Sequence, residues 1–131
     1  MIALDTNVLV RFLVEDDVQQ SARAAAMVQS AIDAQQSLFV SDVVVCEVVW
    51  VLERAYGVAR GEIAATLGKL LFARHLAFRK AELLRRALAG FQSGRGDFAD
   101  YVIREHAFEA GCDAVVTFDR ALLRERGFRR A

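Results

Sequence analysis

Residues 1–10 read MIALDTNVLV, and the carboxylate of Asp5 interrupts an otherwise apolar stretch. Residues 2–4 form a short apolar run, which predicts a buried strand, and the apolar pattern of residues 8–14 predicts a helix. Asp5 therefore falls where a strand ends and a helix begins. A carboxylate at such a junction needs an explanation from the rest of the sequence.

The length and composition of the chain favour one globular domain. It has 131 residues, of which 55% are hydrophobic and 26% charged, with no proline and no low-complexity linker. A chain of this size can bury a core without disulfides. We therefore expect a single domain over residues 1–131, in which Cys46 and Cys112 are small core residues, as are Trp50 and Tyr56.

No part of the sequence predicts a membrane span. The longest apolar run covers residues 43–52 and contains Glu47, whereas a membrane-spanning helix needs about 20 residues. The N-terminus has no basic region ahead of an apolar stretch, which a signal peptide would have. We therefore expect a cytoplasmic protein without membrane association.

The net charge is zero, but the charges are unevenly distributed. Residues 1–65 contain nine acids and four arginines, whereas residues 66–131 contain eight acids and thirteen bases, and fifteen of the seventeen bases are arginine. Arginine forks suit phosphate oxygens, so a polyanionic partner fits the basic half. Solvated helix faces explain the charges equally well.

Short apolar runs alternate with longer periodic ones along the chain. Valine-rich residues 43–57 favour a strand by propensity, but their length and the stop at Gly57 favour a helix. Strands are predicted at residues 2–4, 38–40 and 114–117, with a possible strand at 75–78, and helices at 8–14, 19–34, 43–57, 63–71, 81–91 and 97–111. This alternation predicts parallel strands in a three-layer α/β/α sandwich with a central, mainly parallel sheet.

Four acids fall at comparable places on this scaffold. Asp5 and Asp119 each follow a strand, and Glu47 and Asp100 lie near the starts of two helices. The carboxyl ends of parallel strands form the edge where ligands bind, so we expect the four carboxylates to meet in one cleft. Clustered carboxylates need a cation, and hard oxygen ligands favour Mg²⁺ or Mn²⁺.

Each of these acids also has a structural explanation. Asp5 and Asp119 could cap helices, and Asp97 is better explained as an N-cap than as a ligand. Glu47 lies among valines, so burial without a partner would be costly, and we do not expect it on the surface. Three polar neighbours could orient a carboxylate or simply cap a turn, namely Thr6, Asn7 and Thr117.

Four segments together resemble a known family: ALDTNVLVRFLVED, SDVVVCEVVWVLERAYG, DFADYVIREHAFEAGCDAVVTFD and RALLRERGF. They are similar to the PIN domain, specifically the compact VapC-type toxins of bacterial type II toxin–antitoxin systems, over essentially the whole chain. The resemblance implies that four acids bind metal and act in catalysis, namely Asp5, Glu47, Asp100 and Asp119. It also implies a supporting role for Thr117 and an accessory one for Asp97.

The resemblance further implies an activity and partners. VapC-type proteins are Mg²⁺- or Mn²⁺-dependent endoribonucleases that hydrolyse RNA phosphodiester bonds, often in tRNA or rRNA. They usually form homodimers and are held inactive by a cognate antitoxin protein. We expect the same cofactor, RNA substrate and partners here.

Two other functions fit the sequence less well. A haloacid-dehalogenase-like phosphatase needs a second aspartate two residues after the first, and that position holds Asn7. A non-catalytic, partner-binding α/β module with an acidic pocket would be expected to have a lysine after a late strand, and neither Lys69 nor Lys80 is so placed. Cleavage of RNA with added Mg²⁺ or Mn²⁺ distinguishes the enzyme from the binding module.

Overall fold

A computed structural model describes all residues from 1 to 131, and the chain forms two compact units. The first unit is Met1–Arg79 and the second is Lys80–Ala131. Each unit contains its own helices and its own parallel strands. The expectation of a single domain over residues 1–131 remains a prediction. No helix in the chain combines the length and apolarity that crossing a membrane requires.

The first unit alternates strands and helices around a three-stranded sheet. Its strands lie in the order β1-β2-β3 and both neighbouring pairs are parallel, with Ile2 opposite Leu38 and Leu38 opposite Leu76. In chain order the elements are β1 (Ile2–Ala3), α1 (Thr6–Leu13), α2 (Val18–Asp33), β2 (Leu38–Phe39), α3 (Asp42–Arg54), α4 (Arg60–Leu71) and β3 (Leu76–Ala77).

Short polar side chains cap the starts of α2 and α3. Asp17 accepts a hydrogen bond from the Gln20 N–H at the start of α2, and Ser41 accepts one from the Val44 N–H at the start of α3. Such caps satisfy backbone donors that have no partner within the helix. Gly57, with φ of 61°, allows the chain to turn after α3, since glycine adopts this left-handed conformation without strain.

Helices α3 and α4 provide much of the core of the first unit. Their buried side chains include Val45, Val48, Val49, Leu52, Ile63, Leu67 and Leu71. The prediction of a buried first strand was wrong for Ile2 and Ala3, which are exposed, although Leu4 is buried. The physical reason is that β1 has a neighbour on only one side of its sheet, namely β2.

Two further predicted core positions were wrong. Trp50 is exposed on α3, where the guanidinium of Arg54 lies 5.8 Å from its ring centroid. Cys112 is exposed, whereas Cys46 is half-buried. Tyr56 is also only half-buried, because its hydroxyl group joins a polar network.

The second unit consists of two helices and a parallel pair of strands. Its elements are α5 (Ala81–Ser93), α6 (Phe98–Glu109), β4 (Val115–Thr117), a 3₁₀ turn (Leu122–Arg124) and β5 (Phe128–Arg130). Val115 is opposite Phe128, and Thr117 is opposite Arg130. The sequence did not predict the 3₁₀ turn or β5, whose pairing with β4 depends on residues distant in the chain.

Aromatic side chains fill the centre of the second unit. The rings of Phe91 and Phe98 meet edge to face with centroids 6.0 Å apart, and Tyr101 is fully buried. Arg104 is also buried, where its Nε donates to Glu105 and its Nη1 donates to the Arg126 carbonyl oxygen. These contacts compensate for burial of the guanidinium charge.

Candidate active site

Asp5 occupies the junction between β1 and α1 that the sequence indicated. Its Oδ1 accepts a hydrogen bond from the Thr6 N–H at 2.8 Å, which makes it the N-cap of α1. The side chain is exposed. Since the cap uses only one carboxylate oxygen, Oδ2 can still bind another group. The capping explanation and a ligand role are therefore compatible.

Glu47 lies in the second turn of α3 and is exposed, so the expectation that it avoids the surface was wrong. On a helix, residues spaced by three or four positions share a face, so the flanking valines point elsewhere. Val43, Glu47 and Trp50 share the exposed face, opposite the buried Val45 and Val49.

Thr6 connects the two acids of the first unit. Its backbone N–H donates to Asp5, and its Oγ1 donates to Glu47 Oε1 at 3.3 Å. Thr6 is 6% exposed, so its hydroxyl orientation is restricted by the surrounding core. Asn7 is exposed and makes no side-chain hydrogen bond to either acid. Of these two candidates, only Thr6 orients a carboxylate directly.

Asp97 and Asp100 start α6 together. They form a capping box, in which Asp100 Oδ2 accepts from the Asp97 N–H at 2.9 Å. The pKa of Asp100 is raised mainly by burial, an effect opposed by that hydrogen bond and reinforced by the charges of Asp97, Asp119 and Glu125. Within the second unit, Asp100 therefore lies within electrostatic range of these acids.

Asp119 follows β4, as the sequence indicated. Its backbone N–H donates to Thr117 Oγ1 at 3.0 Å, and its Oδ1 accepts from the Ala121 N–H at 2.9 Å. Thr117 thus positions the main chain of Asp119 without contacting its carboxylate. Asp119 is exposed and retains its second carboxylate oxygen for another partner.

The predicted ligands form smaller groups in each unit. Thr6 joins Asp5 and Glu47, whereas Asp97, Asp100 and Asp119 belong to the second unit. Within neither unit do three His, Cys, Asp or Glu side chains approach closely enough to hold a metal ion. That Asp5, Glu47, Asp100 and Asp119 share one site remains a prediction.

The chemistry of the donor groups fits Mg²⁺ or Mn²⁺. All four predicted ligands supply carboxylate oxygens, which these cations prefer over nitrogen or sulfur. The nearby Cys46 is a poor competing ligand because burial, together with the charges of Asp42 and Glu47, raises the pKa of its thiol to about 11. A protonated thiol does not bind metal well.

The sequence did not identify the cluster that supports the loop before Asp97. The Tyr101 hydroxyl lies 2.6 Å from Glu125 Oε1 and accepts a hydrogen bond from the Gly96 N–H at 2.9 Å. The Arg95 N–H donates to Glu125 Oε2 at 3.4 Å. Tyr101 appears in the sequence only as part of an apolar run. Its contact with Glu125 spans 24 positions, so no local pattern reveals it.

Comparison with models of protein families matches residues 2–128 to the PIN domain. The chain therefore belongs to the PIN domain family, whose members are generally metal-dependent nucleases. The predicted fold class is confirmed, since the helix-rich chain with parallel strand pairs agrees with the three-layer α/β/α architecture of that family. No curated protein matches the chain significantly.

Proposed function

We propose that this PIN domain is a Mg²⁺- or Mn²⁺-dependent endoribonuclease that acts as the toxin of a toxin–antitoxin pair. One observation carries the proposal of nuclease activity. In a chain of this family, four acids occur at strand ends and helix starts, namely Asp5, Glu47, Asp100 and Asp119, and hydrogen bonds from neighbouring threonines or backbone groups orient each of them.

The metal would be held by these four carboxylates, and when bound it would activate water and neutralise charge on the phosphate. The protein's own groups restrict the ligands. Thr6 orients Glu47, the Ala121 N–H orients Asp119, and the Asp97 N–H orients Asp100. Such hydrogen bonds restrict the ligand side chains before metal binds, so the side chains lose less conformational freedom on binding it.

The proposed substrate is RNA, with tRNA or rRNA as the natural target, and the proposed partners are a cognate antitoxin and a second copy of this chain in a cytoplasmic complex. The arginine excess of residues 66–131 supports a polyanionic substrate. The partners rest on the resemblance to VapC-type toxins. Co-expression with a neighbouring antitoxin gene and measurement of the mass of the complex would test them.

Replacing Asp5 with asparagine tests the activity directly. We expect Asp5→Asn to lower kcat/KM for RNA cleavage with Mn²⁺ by at least about 100-fold, equivalent to about 2.7 kcal/mol of transition-state stabilisation. Asp33→Asn is the matched control, because Asp33 is an exposed residue at the end of α2. Full metal-dependent cleavage by Asp5→Asn would refute the proposed mechanism.

The toxin role needs a separate measurement. Induced expression of the natural chain should arrest growth and produce RNA ends at specific positions, whereas Asp5→Asn should do neither. Co-expression of the antitoxin should restore growth. Cleavage of RNA in vitro without growth arrest would support the nuclease and contradict the toxin role. Metal-independent binding with no cleavage would instead favour the partner-binding module.

A further inference from the structure

A cavity of about 500 Å³ lies in the second unit, between the end of α5 and the segment after β4. We call it the arginine cleft. The side chains of three exposed arginines line it, namely Arg95, Arg120 and Arg124, together with Ser93, Gly94, Ala121 and Glu125. Two separate stretches of the chain therefore contribute positive charge to one concave surface.

The protein balances the charge of the arginine cleft only in part, because three arginines line it together with one acid. None of its three guanidinium groups forms an ion pair or a side-chain hydrogen bond within the chain. The one acid of the cleft, Glu125, accepts hydrogen bonds from the Tyr101 hydroxyl and the Arg95 N–H. Three like charges around one cavity are unfavourable unless solvent or an anion screens them.

A neighbouring cavity of about 490 Å³ differs in this respect. Its residues Arg86 and Arg104 both donate to the buried carboxylate of Glu105. These two guanidinium groups therefore have a protein counter-charge and a structural role. The third arginine of that cavity, Arg126, lies over the Phe108 ring. The arginine cleft differs because all three of its guanidinium groups are exposed and without an ion pair, so an anion from outside the chain can bind there.

The cleft is continuous in sequence with two of the proposed active-site acids. Arg120 directly follows Asp119, and the Ala121 N–H of the cleft wall donates to the Asp119 carboxylate. Arg95 lies two residues before Asp97, in the loop that precedes α6. An anion in the cleft would therefore lie beside the segment that carries Asp119.

We propose that the arginine cleft binds backbone phosphates of single-stranded RNA next to the bond that is cleaved. This inference rests on the proposed function and specifies how the substrate is held. Guanidinium groups bind phosphate oxygens in a bidentate manner. A cavity of this volume lies in the range of small-molecule pockets, so it accommodates a nucleotide unit of one strand.

The test compares two triple variants with the same change in charge. The cleft variant is Arg95→Gln/Arg120→Gln/Arg124→Gln. The control variant is Arg23→Gln/Arg74→Gln/Arg79→Gln, three exposed arginines of the first unit. Binding of a fluorescent single-stranded oligoribonucleotide is measured in EDTA, which prevents metal-dependent cleavage, at several salt concentrations.

We expect the cleft variant to bind RNA at least about tenfold more weakly than the natural chain. Each lost phosphate contact reduces the slope of log K against log salt by about 0.7 for a single strand, so three contacts reduce it by about 2. In Mn²⁺ the cleft variant should show a raised KM and a nearly unchanged kcat. The control variant should change affinity by less than about threefold.

Several outcomes would overturn the inference. Equal losses in the two variants would mean nonspecific attraction, and an unchanged KM in a cleft variant that still cleaves RNA would leave the nuclease without this binding site. If the cleft variant lost binding to an acidic peptide but bound RNA as tightly as the natural chain, the cleft would be assigned to a protein partner. If the natural chain bound RNA through the cleft but cleaved none, the proposed nuclease activity would be refuted, and the cleft would still be supported as an RNA-binding site. Melting temperatures establish that both variants fold.

Discussion

Thr6 gives the clearest case of a single residue that organises candidate ligands. Replacing its hydroxyl with a methyl group in Thr6→Val preserves the shape of the buried side chain and removes the donor to Glu47. Loss of an outer hydrogen bond to a metal ligand typically costs about 10- to 100-fold in metal affinity or activity. We therefore expect Thr6→Val to raise the Mn²⁺ concentration for half-maximal cleavage by this factor. Thr6→Ser keeps the hydroxyl and should retain most of the affinity. Equal behaviour of both variants would contradict an orienting role for the hydroxyl.

The two cysteines should differ in reactivity. Cys112 is exposed, whereas burial and the nearby charges of Asp42 and Glu47 raise the pKa of Cys46 to about 11. At pH 8 about one Cys46 thiol in a thousand is therefore ionised, and the thiolate is the reactive form. Iodoacetamide should label Cys112 first, as mass spectrometry of peptides would reveal. Cys112→Ser serves as the control, and rapid labelling of Cys46 in it would contradict the prediction.

At the scale of elements, a polar network ties three helices of the first unit together. Arg11 on α1 donates to Asp16, to Gln20 on α2 and to the Tyr56 hydroxyl after α3, and that hydroxyl donates to Asp16 at 2.7 Å. The hydrogen bond from Tyr56 is the main cause that lowers the pKa of Asp16, followed by the charge of Arg11. The connection between α1 and α2 is therefore held by an ionised carboxylate.

This network predicts a pH dependence of stability. Because the pKa of Asp16 is lower in the folded chain than in the unfolded one, ionised Asp16 stabilises the fold above its unfolded pKa of about 3.9. The contribution is lost as the pH falls through the folded pKa. We expect Asp16→Asn to lower the melting temperature at pH 7 and to have little effect near pH 2. The same lowering at both pH values would contradict this explanation.

The loop before α6 should be intolerant of a side chain at Gly94. A Cβ there would overlap the Tyr101 hydroxyl and a Glu125 carboxylate oxygen. We expect Gly94→Ala to separate these groups and to lower the free energy of unfolding by about 1–3 kcal/mol, the usual cost of disrupting a buried polar contact. Gly61→Ala is the matched control, since it meets no atom within 4 Å and lies in α4. Equal unfolding free energies for Gly94→Ala and the natural chain would refute the prediction.

Elements with a strong local pattern were predicted well, and elements defined by distant contacts were not. The helices α2, α3 and α5 lie within a few residues of their predicted bounds, because apolar periodicity and caps are local. The strand β5 was missed because Phe128–Arg130 ends in two charged residues and pairs only with β4. At the candidate site, the sequence indicated that Asp5 and Asp119 follow strands, but it did not indicate the role of Tyr101 or the exposure of Glu47.

At the scale of the whole chain, the four proposed ligands come from positions 5 to 119. If they share a metal, Mn²⁺ should stabilise the folded chain by about 2.7 kcal/mol at 100 times its dissociation constant. We expect a rise in melting temperature with Mn²⁺ that Asp100→Asn abolishes. Asp113→Asn is the control, as Asp113 is exposed and outside the proposed set. A rise that persists in Asp100→Asn would exclude Asp100 from the metal site.

Strand β5, the last strand of the chain, affects whether the protein aggregates at high concentration. Strand β5 pairs with β4 and has no other neighbour in its sheet, so it presents an unpaired backbone edge. Unpaired edges can add strands from other molecules and seed insoluble assemblies, and charged side chains discourage this. Arg129 and Arg130 are both exposed there, so copies that approach edge to edge repel each other. We therefore expect the two arginines that made this strand hard to predict from sequence to protect the protein against aggregation.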